Sequence, residues 1–162
     1  MIIDSSSYFE TIDIWKSFCE LHFDLFNLTC EEYSFLLGSE IEKLEELVVT
    51  KNTIIAAISI EEKRRQKLIE FLSQELGQDL TSVRDLVDIV EAYESTTKES
   101  HFKKFNGLLI DLIEKIQIQN KKNQIFLNKA ILSLQEIRQG AIGQKKYTTY
   151  DSKGSHISST AR

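Results

Sequence analysis

The residues of this chain best suited to chemistry are three histidines and two cysteines. Their spacing supports little. A di-metal site in a helical bundle takes Glu-x-x-His pairs on facing helices. None of His22, His101 or His156 has a glutamate three residues before it. Zinc needs clustered cysteine and histidine. Cys19 and His22 lie one helical turn apart, but nothing completes the set. His22 therefore reads as a core or boundary histidine. A cysteine nucleophile needs a positioned base, and Cys19 and Cys30 both fall on an apolar stripe, where they read as packing. No glycine-rich phosphate loop of the required pattern is present. The expectation is no catalytic residue, no metal and no cofactor, which leaves binding.

Composition narrows what is bound. The 162 residues suffice for one domain with a real core. There is no proline, which favours long uninterrupted helices. Net charge is −5. From Gln144 onward Lys145, Lys146, Asp151, Lys153 and Arg162 leave a tail of +3, so the body is −8. An acidic body argues against nucleic acid as the main ligand. No apolar run is long enough to span a bilayer, and Met1-Ile2-Ile3-Asp4 is too short for a secretory leader. Cys19 and Cys30 are eleven apart, about three turns, too far to bridge within one continuous helix. The chain reads as cytoplasmic, with free thiols and no membrane insertion.

The elements that must position any binding surface are helices. Leu37, Ile41, Leu44, Val48, Lys51, Ile55, Ile58, Glu62, Arg65, Ile69, Leu72 and Leu76 alternate spacings of three and four. That is a heptad stripe, the mark of a helix laid lengthwise on another. At about 1.5 Å per residue it is roughly 60 Å long and demands a partner of similar length. Lys51, Glu62 and Arg65 interrupt it and read as structural, setting register or lying where the seam opens to water. Gly77 should end this helix, and Thr81 or Ser82 should cap a short one carrying Val83, Leu86, Val87, Val90 and Tyr93. Glu94 to Ser100 reads as a loop. A second long helix should run from about His101 to Gln139 and end at Gly140 and Gly143. Its stripe of Phe105, Leu109, Leu112, Ile116, Asn120, Asn123, Leu127, Ala130, Leu134 and Ile137 matches the first in length, so the two should pair antiparallel.

Before the first stripe lies an aromatic-rich helical segment. Ser7 and Glu10 form a capping box that would start it near Tyr8. At Asn27-Leu28-Thr29 the signals conflict. Thr29 with Glu32 is a second capping box, yet the stripe runs on through Phe26, Cys30, Tyr33 and Leu37. Length favours a break, because an unbroken helix from Tyr8 to Leu76 would reach about 100 Å. Past Gly143 the composition turns to Ser, Thr, Gly and Lys without period, as in a flexible tail. The expected architecture is all-α. It consists of an antiparallel hairpin of two long helices with a short connecting helix, an aromatic-rich N-terminal segment and a flexible C-terminal tail. The division falls as a helical domain over residues 1–143 and a basic tail over residues 144–162.

The layout resembles the FlgN-type flagellar export chaperones. The residues that carry this are Leu36-Leu37, Glu40-Ile41, Leu44-Glu45-Glu46-Leu47, Lys51, Glu62 with Arg65 before Leu68, and Asn120 with Asn123. The tail's Tyr147 or Tyr150 with Gly154 fits as well. The match covers roughly Tyr33 to Gly154, and the aromatic segment before Cys30 is longer than the family leads one to expect. The resemblance implies a non-enzymatic cytoplasmic chaperone. It implies partners of two kinds: hook–filament junction proteins like FlgK and FlgL, held by their C-terminal segments, and an export-gate protein like FlhA. On that reading Phe126, Leu127, Ile131, Leu134, Ile137 and Ile142 line the cargo site, and Tyr147 and Tyr150 dock on gate or cargo. Leu127 and Leu134 would serve equally to pack against Ile41, Leu44 and Val48, and the tyrosines suit a plain tail. Asn120 and Asn123 read either as polar groups that set register in the seam or as an exposed polar face. Two other readings stay open: a homo-oligomeric coiled-coil scaffold, in which the stripes pair in a homodimer, and a FliT-like chaperone for a different client.

Overall fold

The computed structural model describes residues 2–143, 147–150 and 156–159. The fold is all-α. Among the described residues there are four helices, α1 (Ser5–Gly38), α2 (Ile41–Leu76), α3 (Val83–Thr97) and α4 (His101–Gly143). Strands β1 (Tyr147–Tyr150) and β2 (His156–Ser159) form a small antiparallel ribbon, with Tyr147 opposite Ser159 and Tyr150 opposite His156. The chain divides into two compact units, Met1–Lys121 and Lys122–Arg162.

α1 starts at Ser5, three residues earlier than its apparent capping box suggests. Asp4 is the cap, and its Oδ1 accepts the Ser7 amide at 2.9 Å. Ser7 itself is buried, and its carbonyl accepts the Thr11 hydroxyl at 2.8 Å. The expected break at Asn27–Thr29 is absent. Thr29 is buried in mid-helix and its hydroxyl turns back to the Leu25 carbonyl at 2.7 Å, the alternative open to a threonine that does not cap. The chain reverses ten residues later, where Ser39 takes the left-handed conformation at φ 54°. There Ser39 N–H donates to the Leu36 carbonyl and Glu40 N–H to that of Phe35. The same pair of bonds closes α2 at Gly77, φ 61°, from Gly77 to Gln74 and from Gln78 to Ser73. Leu37, which opens the heptad stripe, therefore belongs to α1.

That reversal makes α1 and α2 an antiparallel hairpin, each about 50 Å long at 1.5 Å per residue. Ion pairs bridge it, among them Arg64 with Glu10 at 3.9 Å. Arg64 Nη1 lies 2.8 Å from Asp13, and Lys51 Nζ lies 2.6 Å from Glu32. The closest neighbour of α2 is thus α1, where the sequence pointed to the last helix. Three stripes of comparable length compete, and the two-residue turn at Ser39 and Glu40 settles which pair is adjacent. The start of α4 joins them as a third helix. Trp15 Nε1 donates to Asn106 Oδ1 at 3.1 Å, the Cys19 thiol donates to the Phe105 carbonyl at 3.3 Å, and the Trp15 and Phe102 rings lie 5.0 Å apart. The core gathers Tyr8, Trp15, Phe18, Leu68, Leu72, Leu86, Val90, Phe102, Leu109 and Leu112. The aromatic N-terminal segment is therefore central to the fold.

α3 is capped by Ser82, whose side chain forms the full reciprocal box with Asp85. It runs to Thr97, so Glu94 is helical and not part of a loop. Glu94 is buried, and its carboxylate accepts the Tyr8 hydroxyl at 2.7 Å and the Phe102 and Lys103 amides at 2.6 and 3.2 Å. It thus satisfies two of the amides left bare at the start of α4, where the helix dipole favours negative charge. α4 passes through Gly140 and ends at Gly143, where the composition shifts.

Candidate functional site

Among the described residues, His22 and Cys19 have structural partners. His22 Nδ1 lies 2.7 Å from the Phe18 carbonyl. The Cys19 thiol is pushed up to about 11 by burial, then by the Glu20 charge, the opposite of what a nucleophile needs. Cys19 and Cys30 are free thiols. Lys51 pairs with Glu32 across the hairpin, and Arg65 pairs with Glu62 one turn away, which holds the Glu62 carboxyl below its usual range. Of the three polar interruptions of the stripe, Lys51 is therefore tied across the hairpin, and Glu62 and Arg65 are tied to each other along α2. Among the described residues, no three or more His, Cys, Asp or Glu gather where they could hold a metal. Among the same residues, no helix is long and apolar enough to cross a membrane.

The distal part of α4, residues 122–143, carries an apolar surface within the second unit. Leu127, Ile131 and Leu134 follow at intervals of four and three, and Ile142 lies eight beyond, so they share a broad face. Phe126 and Ile137 are eleven apart, three full turns, and widen it. Phe126 is half-buried. Leu127, Ile131, Leu134, Ile137 and Ile142 are all exposed, Leu134 at 66% and Ile137 at 69%. Ile125 and Leu132 are also exposed. Tracing a single stripe missed them, although their spacing of seven marks them as one column. The charges here are Lys122, Lys129 and Arg138 against Glu136, a surplus of positive charge.

Asn120 and Asn123 part company. Asn123 is buried and Asn120 is exposed. Tyr147 and Tyr150 are the first and last residues of β1; their side chains, like the tail's Lys145, Lys146, Lys153 and Gly154, lie outside the described residues.

Such an arrangement can hold an apolar helix face. It offers aliphatic side chains at helical intervals, the pattern of helix-in-groove recognition. Exposed contiguous apolar surface of this kind marks interaction sites more often than it marks chance.

No curated protein and no solved structure matches the chain. A family model described as FlgN protein matches residues 1–157. The match takes in the aromatic N-terminal segment, which lay outside the stretch that carried the sequence resemblance. Membership implies a flagellar export chaperone, and with it a helical protein of flagellum biogenesis that binds other flagellar proteins. On this match, over nearly its whole length, the chain belongs to the FlgN family.

Proposed function

We propose that this chaperone acts in the cytoplasm on hook–filament junction proteins like FlgK and FlgL. It holds their C-terminal, helix-forming segments on the distal face of α4 and brings them to an export-gate protein like FlhA. The observation that carries this reading is the exposure of Leu127, Ile131, Leu134, Ile137 and Ile142 on one stretch of helix. A client segment that folds on binding spreads modest affinity over a wide surface, which suits cargo that must later be released. Tyr147 and Tyr150, on the strand that follows, are the proposed docking aromatics. The role is binding, without catalysis.

The test is co-purification of the full chain with the C-terminal segments of the host's FlgK-like and FlgL-like proteins. Binding is expected, and it is expected to vanish when the residues after Gln139 are removed, with helicity and melting nearly unchanged. Equal affinity for the truncated chain would overturn the part of the site given to Ile142, Tyr147 and Tyr150. A folded protein that binds neither segment and runs as a dimer would favour the scaffold reading. A response to another export client alone would favour the FliT-like one.

A further inference from the structure

The first unit carries a second apolar surface, far from distal α4 in sequence. On α2 the residues Ile41, Val48, Ile55, Glu62 and Ile69 repeat every seven and so share a face. Ile69 is buried and Glu62 half-buried, but Ile55, Val48 and Ile41 are exposed. At Ile55 this column opens into a cleft of about 460 Å³, lined also by Trp15, Phe18, Ile58, Leu109 and Ile113. Column and cleft form one apolar track. Its open end is acidic. Glu40, Glu42, Glu45 and Glu46 stand there against Lys43, which pairs with Glu40. Glu31 adds a further negative charge on α1.

We infer that this track docks a basic amphipathic helix of another protein, apolar along one face with lysine or arginine beside it. The aliphatic column from Ile41 to Ile55 spans about 21 Å at 1.5 Å per residue, enough for roughly four turns of a partner helix. Side chains at seven-residue intervals receive such a helix lengthwise, and the cleft takes its largest anchor. The glutamates choose the partner. They attract a cationic flank and repel an acidic one, so they act on specificity and rate of encounter. Distal α4 has the opposite sign of charge. The two surfaces therefore select different partners, and this inference stands whether or not the client assignment above holds.

Trp15 is the chain's single tryptophan and lines the cleft, so its fluorescence reports occupancy. The probes are two synthetic amphipathic helices of about 18 residues, five turns, alike in pattern. One is built from Leu and Lys, the other from Leu and Glu. The full chain should show a saturable shift of Trp15 emission with the Leu–Lys helix and none with the Leu–Glu helix. Ile41→Ser with Val48→Ser should weaken that binding at least about tenfold, and so should Glu42→Lys with Glu45→Lys. All four positions are exposed, so an unchanged melting curve will show that the variants fold. Equal responses to both probes, or binding unaltered in either double variant, would overturn the proposal. So would a dimer of the full chain that Ile41→Ser with Val48→Ser dissolves, because the occupant would then be a second copy.

Discussion

The two parts of α4 are built from the same kinds of residue and meet opposite fates. Over its first five turns Phe102 is fully buried, and Leu109, Leu112 and Ile116 are less than a tenth exposed. Over its last turns Leu127 and Ile131 are 44% and 45% exposed, and Leu134 and Ile137 more so. Leucine and isoleucine at intervals of three and four run through both. The proximal part is fastened by polar contacts as well: Glu94 caps its first amides, Asn106 accepts from Trp15, and the Phe105 carbonyl accepts the Cys19 thiol. An apolar stripe is therefore a statement about capacity. Its first stretch is spent on the bundle, and its second stays exposed.

That contrast can be broken most directly at Phe102. Phe102→Ala empties a fully buried site beside Trp15 and should cost about 3–5 kcal/mol in urea unfolding, a large fraction of a typical domain's stability. A loss as small as that of an exposed residue would refute the division of α4. Glu94→Ala comes next. It leaves the Phe102 and Lys103 amides without their acceptor and the Tyr8 hydroxyl with only the longer bond to Glu99, and should cost about 1–3 kcal/mol, with Glu94→Gln costing less because one acceptor oxygen remains.

A smaller effect belongs to the thiol beside Phe105. The Cys19 pKa is raised in the folded protein from 9.0 to about 11. A raised acid is stabilising while protonated, so its contribution is complete below about pH 9 and is lost as pH climbs through about 11. Unfolding curves should weaken over that window, and Cys19→Ala should remove that part of the slope. The Tyr8 hydroxyl is also pushed upward, first by burial and then by Glu94, so some alkaline loss should persist in that variant. The smallest expected change is at the other end of the helix. Leu134→Asp with Ile137→Asp should leave melting within about 0.5 kcal/mol of the parent while abolishing capture of the client segments. A large loss of stability there would mean that the distal stripe is core after all.

Much of the architecture is legible in the residues. Gly77 stops α2 because only the left-handed conformation closes its last carbonyls, and Ser82 starts α3 with Asp85 three places on. Other boundaries were hidden. Thr29 with Glu32 has the form of a capping box, but a threonine hydroxyl can equally turn back on its own helix, and burial decided for the latter. The real stop follows Gly38, a visible signal, yet the left-handed residue is Ser39, a less usual choice. Glu94 sits in a polar run that looks like a loop. Its role comes from α4, whose amides lie eight and nine residues further on, and from Tyr8 at the far end of the chain. Of the candidate binding surface, the stripe from Leu127 to Ile142 was legible and its exposure was not.

By itself the sequence determined that this protein is helical, where most of its helices begin and end, and which residues are apolar enough to bind. Local spacing and capping carry that information, because they depend on neighbours a few residues away. Only the tertiary structure decided that α2 lies closest to α1, that the aromatic segment is core, and which turns of α4 remain open. Burial is settled by what lies across the interface, and stripes of equal length and equal chemistry do not say which of them will meet.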